Sequence, residues 1–224
     1  MKIAVIIPTF QQADTLSETI RSVLEQTRKA DEIICVVDGS KDGSLSIAKG
    51  YEVKVVEQVN KGLSSARNTG IMNSTSEFIL FLDSDDILKA NCLERMEQVI
   101  QENPDADIIA PSFKEFGVRD REVTLMSNPT LEDFKSANRI GYFSAIRRAK
   151  LLEIGGYNPK MVWGFEDYDL WFDLLKRGSK LVTIPEVLVM YRVKKNSMIN
   201  SSEAHRPELL NQMSKNHPDI QFTW

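Results

Sequence analysis

Asp83-Ser84-Asp85-Asp86 follows the apolar run Glu77-Phe-Ile-Leu-Phe-Leu82 and places three carboxylates within four residues. Alternate side chains of an extended chain point the same way, so Asp83 and Asp85 present two carboxylates toward one place. Carboxylate oxygens are hard donors that suit Mg²⁺ or Mn²⁺, ions that also bind phosphate oxygens. The alternative is a solvated acidic turn capping the helix that follows. Two more polar clusters follow apolar runs, Pro8-Thr9-Phe10-Gln11 and Asp38-Gly39-Ser40. Glu166, Asp167 and Asp169 gather at the start of a helical pattern, where the helix dipole favours acidic side chains. Other chemistries lose their support. No G-x-G-x-x-G follows a strand, and there is no P-loop, H-E-x-x-H or C-x-x-C. The only histidines, His205 and His217, lie in the tail, which argues against a zinc site.

The elements that must hold these clusters read as alternating strands and helices. Uninterrupted β-branched and apolar runs at 3–8, 32–37 and 77–82 are strands buried on both faces. Between them fall a helix opened by a capping box at Thr15-Leu-Ser-Glu18, a polar helix near 43–50, a short strand at 53–57 and a helix at 63–73. A helix at 91–102 and a strand at 107–110 complete this half, which predicts a parallel α/β sheet covered by helices. In such a sheet ligands bind outside the carboxyl ends of the strands. All three strand-end clusters face one crevice if their strands are neighbours. Beyond residue 112 the pattern loosens: a strand at 122–126, helices at 148–154 and 166–177, strands at 181–184 and 187–193, then a polar tail from 196.

The 224 residues, 42% hydrophobic and 27% charged, are globular in composition. A net charge of −4 argues against a nucleic-acid coating protein. Cys35 and Cys92 lie in apolar or helical patterns, so no disulfide framework is expected and a reducing compartment is. The N-terminal apolar run is too short for a signal peptide or a span, and no stretch reaches about 18 apolar residues. A soluble, cytoplasmic protein is expected, with no transmembrane segment and at most peripheral membrane contact.

Taken in order, Val5-Ile-Ile-Pro-Thr-Phe10, Val37-Asp-Gly-Ser-Lys-Asp-Gly-Ser44, Asn60-Lys-Gly-Leu-Ser-Ser-Ala-Arg-Asn-Thr-Gly70 and Phe81-Leu-Asp-Ser-Asp-Asp86 resemble the signature of family 2 glycosyltransferases. Gly155-Gly-Tyr157, Gly164-Phe-Glu-Asp-Tyr-Asp169 and Tyr191-Arg192 extend the resemblance over about residues 3–198. It implies the GT-A fold: a Rossmann-like nucleotide-binding half (1–112), a mixed acceptor-binding half (113–198) and a C-terminal tail (199–224). It also implies a nucleotide-sugar donor, a divalent cation (Mn²⁺ or Mg²⁺) and inversion at the anomeric carbon.

The resemblance assigns roles by position. Pro8, Thr9 and Phe10 are expected at the base and ribose. Asp38 is expected to accept from a uracil N–H, which a carboxylate suits, or else to cap the turn to Gly43. Lys61 and Arg67 are expected to neutralise phosphate, Arg67 with its planar fork, while a solvated helix face is the alternative for Lys61. Asp83, with Ser84, is expected at the ribose hydroxyls and Asp85 at the metal; Asp86 reads as a supporting carboxylate or helix cap. Asp167 is implied as the general base and Glu166 as a contact to acceptor or donor sugar. Trp163 either stacks on a sugar ring or packs into the core. Many members carry a histidine a few residues after the Tyr-Arg pair. Here the stretch reads Val193-Lys194-Lys195-Asn196, so Lys194 or Lys195 could neutralise the diphosphate directly.

The whole implies an inverting glycosyltransferase acting on a glycan or lipid-linked glycan acceptor, in surface polysaccharide or glycoconjugate synthesis. GDP- or dTDP-sugars are alternative donors. A nucleotidyltransferase would need a glycine-rich N-terminal loop that is absent, and a binding module without turnover is disfavoured by the joint presence of Asp83, Asp85 and Asp167.

Overall fold

The structure, a computed structural model, describes residues 1–195 and 202–223. Asn196 and the expected boundary between acceptor half and tail at 198/199 lie outside the described residues.

The chain opens with β1 (Ile3–Thr9), α1 (Ala13–Leu24), β2 (Glu32–Asp38), α2 (Ser44–Lys49), β3 (Lys54–Gln58), α3 (Leu63–Asn73), β4 (Phe78–Phe81), β5 (Ile87–Leu88) and α4 (Cys92–Glu102). It continues through β6 (Ile108–Gly117), β7 (Arg121–Val123), α5 (Leu131–Phe134), β8 (Ala145–Arg147), α6 (Arg148–Ile154), α7 (Glu166–Lys176), β9 (Leu181–Val193) and α8 (Arg206–Asn216). Among the described residues these strands make one nine-stranded sheet, in the order β3-β2-β1-β4-β8-β6-β9-β5 with β7 on β6. Every residue of β1 and β4 is buried, as continuous apolar runs demand of central strands.

The β3-β2-β1-β4 half is parallel as expected. The other half is mixed: β8 runs antiparallel to β4 and β6, and β5 antiparallel to β9, while β6 and β9 are parallel. β6 is far longer than 107–110 because its second half pairs with both β7 and β9. The two strands expected at 181–184 and 187–193 are one. Pro185 does not end β9; the register slips there instead, with Pro111 opposite Ile184 and Ser112 opposite Val187.

Two local readings are corrected. Thr15 does not open α1, which starts two residues earlier after Gln12. Thr15 Oγ1 instead donates to the Ser84 carbonyl (2.8 Å), and the free Ala13 N–H donates to Asp42 Oδ2 (2.8 Å). A distant loop therefore does the capping. The polar tail carries α8, whose Leu209 and Met213, one helical turn apart, are buried with His217. Pro207 near its start and Lys215 in its last turn were the available signals. No helix among the described residues is long and apolar enough to cross a membrane.

The seat of α3 on β1 is set by one missing side chain. A Cβ on Gly70 would lie 2.3 Å from Ile6 Cγ2 and 2.9 Å from its Cδ1. Ile6 is fully buried and, being β-branched, has little freedom to turn aside. Gly70→Ala should therefore cost about 1–3 kcal/mol by overpacking, read as a lower midpoint in urea unfolding.

Candidate active site

Because β2, β1 and β4 are adjacent and parallel, their three polar ends meet at one edge. There they line a cavity of about 780 Å³, a volume typical of ligand sites. Pro8, Thr9, Phe10, Asp38 and Lys61 lie on its wall with Asp83, Ser84 and Asp85; Trp163, Glu166 and Asp167 line it from the second half. Arg67 does not line it, and neither do Asp86 and Lys195.

Arg67 is fully buried. Its Nη1 donates to Glu166 Oε1 (2.8 Å) and its Nη2 to Asp83 Oδ1 (2.9 Å). The guanidinium lies over the rings of Tyr142 (4.8 Å) and Tyr157 (5.0 Å). The expected phosphate contact is thus corrected: both arms of the fork are already spent on carboxylates. The same contact ties Asp83, expected at the ribose, and Glu166, expected at a sugar. Burial pushes Asp83 up to about 6, against Arg67 and with Asp85 and Glu166 adding repulsion.

The two sides of the site are joined by α3. Asn68 Nδ2 donates to the Tyr157 carbonyl and the Tyr157 N–H donates back to Asn68 Oδ1, both at 2.8 Å. Tyr157 also stacks edge-on against Phe81, with ring centroids 5.1 Å apart. The Arg67-Asn68 pair and Gly155-Gly-Tyr157 are therefore parts of one joint.

Asp38 is buried and holds the loop before α3. Its Oδ1 accepts from Gln58 Nε2 (2.7 Å) and Lys61 N (2.8 Å), and its Oδ2 from Gly62 N (2.9 Å). It does not cap the turn to Gly43, a task Asp42 performs through Ser44 N (3.1 Å). Thr9 is buried with its hydroxyl against the Ile7 carbonyl and Cys35 Sγ, both at 3.4 Å. Phe10 and Trp163 are half-exposed at the cavity, so Trp163 is not core; its ring lies 4.2 Å from that of His205. Gln11 beside Phe10 has φ 54°, a strained turn held by Ser40 Oγ accepting from Gln11 N and Gln11 Oε1 accepting from Lys41 N.

Asp86 is buried and accepts from the Arg192 N–H (2.6 Å) and the Tyr142 hydroxyl. Burial, with Asp85 close by, raises it well above the ordinary carboxylate range. It locks the end of β9 to the acidic loop. Just past the end of β9, Lys194 Nζ lies 2.8 Å from Asp85 Oδ2 and donates to Gln12 Oε1 (2.8 Å). A protein ammonium therefore already sits on the carboxylate expected to hold metal.

Asp167 owes its position to an unusual helix start. Gly164 (φ 123°) and Phe165 (φ 60°) both have positive φ, turning the chain so that α7 begins at the cavity wall. Its Oδ2 accepts from Asn138 Nδ2 (2.9 Å) and its Oδ1 from Tyr168 N (2.7 Å). Burial, then Glu166, pushes it up to about 7. Farther along, Asp169 is buried and Oδ1 meets His217 Nε2 (2.9 Å) and Asn216 Nδ2 (2.7 Å), so the tail braces the same helix.

Residues 4–169 match the family model described as glycosyl transferase family 2. Glycosyltransferase GlyG of Streptococcus pneumoniae serotype 4 is 29% identical over 89% of this chain and 73% of that protein. Among solved structures, S. aureus TarS 1–349 in complex with UDP-GlcNAc superposes with a TM-score of 0.81 at 19% identity, covering 100% of this chain and 68% of that one. The mannosyltransferase PcManGT from Pyrobaculum calidifontis, in complex with GDP-Man and Mn²⁺, gives 0.75 at 18% identity, covering 100% and 66%. At such identities these structures speak to the fold, which is GT-A.

The Arg67 contacts generate a stability test. Arg67→Met leaves Asp83 and Glu166 without their counter-charge and should cost about 3–5 kcal/mol at pH 8. Asp83 is raised in the folded state, so its charge opposes folding above about 6 and this opposition fades as pH falls. The deficit of the variant should therefore shrink between pH 8 and pH 5 in urea titrations.

Proposed function

The chain belongs to glycosyl transferase family 2, and on that premise we propose that it moves a sugar from a UDP-sugar to a hydroxyl of a glycan or lipid-linked glycan, with inversion at the anomeric carbon. Such a step serves the synthesis of a surface polysaccharide or glycoconjugate. The observation that carries the reading is one cavity in which the strand-end clusters face Asp167 at the start of α7. In this reading residues 1–112 hold the donor and 113–198 the acceptor.

Pro8, Thr9 and Phe10 flank the nucleobase, Phe10 offering an exposed ring face. Asp38 has three of about four lone-pair sites occupied, which leaves one acceptor for a base N–H and favours uracil. The structural neighbours carry one UDP-sugar and one GDP-sugar, so the choice of base rests on Asp38. Lys61 stands at the phosphates, and Asp83 with Ser84 at the ribose. Arg67 holds Asp83 and Glu166 in place instead of meeting phosphate.

Among the described residues no three His, Cys, Asp or Glu side chains are grouped to hold a metal. Asp85 facing the cavity is nevertheless a hard oxygen donor, and Mg²⁺ or Mn²⁺ is commonly held by one or two carboxylates plus substrate phosphates. The donor set fits a cation that Asp85 holds jointly with the diphosphate. When bound, such an ion supplies positive charge against the departing diphosphate. Lys194 offers a second positive charge at the same place.

Asp167 takes the proton of the acceptor hydroxyl as that oxygen attacks the anomeric carbon. A base with a pKa near 7 ionises close to neutrality while remaining basic enough to accept that proton. Trp163 and Glu166 border the sugar.

Thermal shifts with UDP, GDP and dTDP, with and without Mn²⁺, test the donor. UDP at 100 times its dissociation constant should add about 2.7 kcal/mol of stability; protection by GDP but not UDP would overturn the assignment. In the same format, Asp85→Asn should lose the Mn²⁺-dependent part of the UDP shift. A larger loss in Lys194→Ala would make the lysine the main partner of the diphosphate.

Asp167→Asn should lower kcat by about 10²–10⁴ while UDP-sugar affinity stays level. In the parent, kcat/KM should fall as pH drops below about 7, where Asp167 takes its proton; the variant should lack that limb. Because Asp167 has a raised folded pKa, its charge opposes folding at pH 8 and vanishes in the asparagine. The variant should be no less stable there, with Glu166→Gln as the neighbouring control.

A further inference from the structure

The acidic loop after β4 carries three carboxylates, and two of them have partners that cannot move away. Asp83 is held by the buried fork of Arg67, and Asp86 by the Tyr142 hydroxyl and the Arg192 backbone N–H. Asp85 differs. Its Oδ2 pairs with Lys194 Nζ at 2.8 Å, an ammonium on a flexible four-carbon stem. The Lys194 side chain is 32% exposed and that of Asp85 22%, and both residues line the cavity. Ion pairs with this much access to water hold their partners weakly.

The surroundings of Lys194 set what it can reach. Arg192, two residues earlier, is engaged: its Nε donates to the Asp85 carbonyl (2.7 Å), its Nη2 meets Glu18, and its guanidinium lies over the Phe116 ring (4.3 Å). Lys194 Nζ donates to Gln12 Oε1 (2.8 Å), an oxygen that also accepts from Thr15 Oγ1 (3.2 Å). The ammonium therefore spans the start of α1 and the acidic loop at the cavity wall, and these two contacts use two of its three donors. A diphosphate entering the cavity offers that ammonium more negative charge than a single carboxylate does. For a divalent cation the situation is the reverse. A lone carboxylate with an ammonium upon it is a poor site, because like charges repel. One carboxylate together with phosphate oxygens is an ordinary one.

We propose that Lys194 is an exchangeable counter-ion of Asp85. It occupies the carboxylate while no nucleotide is bound, passes to the diphosphate when a nucleotide-sugar arrives, and so frees Asp85 for a divalent cation. The proposal rests on the donor reading above and adds an order to it: the lysine keeps cations off the free protein, and the nucleotide removes that obstacle. Lys194 is then a positioning residue for the cation as well as a ligand of the diphosphate.

Two binding measurements test the exchange without any turnover. In the first, free Mn²⁺ is followed by electron paramagnetic resonance as MnCl₂ is added to nucleotide-free protein. Lys194→Met should bind Mn²⁺ about tenfold or more tightly than the parent, since an opposing charge has gone. Adding Asp85→Asn to that variant should abolish the gain, and Lys194→Arg, which keeps the charge, should stay close to the parent. In the second, UDP and uridine are titrated calorimetrically in EDTA. Lys194→Met should weaken UDP about tenfold or more and leave uridine, which has no phosphate, as in the parent. Unchanged uridine binding also shows that the variant is folded, and Lys194→Gln takes its place if it is not. The proposal is overturned if Mn²⁺ binds the folded variant no more tightly than the parent. It is likewise overturned if Lys194→Arg gains as much as Lys194→Met, or if UDP binds parent and variant alike. Failure of both UDP and uridine to bind the parent would overturn the donor reading. The Mn²⁺ titration would still decide whether Lys194 holds Asp85 against a cation.

Discussion

One buried guanidinium holds the site together. Arg67 reaches from α3 to Asp83, at the end of β4, and to Glu166, at the start of α7, two carboxylates separated by 83 residues of chain. A buried ion pair is weak evidence for net stability, because removing charges from water costs about what their attraction returns. Its consequence here is geometric. A planar fork can satisfy two carboxylates in one arrangement only, so the acidic loop and the first turn of α7 cannot shift independently. Gly70, one turn further along α3, sets how deeply that helix sits on β1 and hence where the fork is delivered.

Around this fork the molecule collects more negative charge than burial favours. Asp83, Asp86 and Asp167 are all raised in the folded state, chiefly by desolvation. Asp86 is relieved by hydrogen bonds from Tyr142 and the Arg192 backbone, and Asp85 by Lys194. Among the described residues Asp167 accepts from Asn138 and from a backbone N–H, and burial carries it up to about 7. Position in the lattice of donors, more than residue type, sets these carboxylates apart.

Much of this was legible in the chain. The runs at 3–8, 32–37 and 77–82 announced central strands because strands buried on both faces have no polar side to show. α3 and α6 begin and end where their patterns do. The strand-end clusters converge because β2, β1 and β4 are neighbours. What stayed hidden depends on tertiary partners. An arginine beside a phosphate and an arginine beneath two tyrosines look alike in sequence, so the fork of Arg67 was misplaced. Thr15 satisfied a local capping pattern, yet Asp42 supplies the oxygen for the first turn. Pro185 looked like a strand break because a bulge that absorbs it depends on the partner strand β6. α8 has too narrow an apolar stripe to be read without the groove that buries it.

The sheet that carries all this is continuous. Backbone hydrogen bonds run from β3 to β5 through β8, which pairs with β4 on one side and β6 on the other. A ladder without a seam offers no axis about which the two halves of the sheet could swing as rigid bodies. The parts of the large cavity's wall that lie outside the ladder include residues 60–62 and the stretch 159–165, so any change in the cavity's shape would fall to them. Motions of that kind are loop rearrangements rather than hinge bending, and their rates answer to local backbone contacts, not to the stability of the sheet.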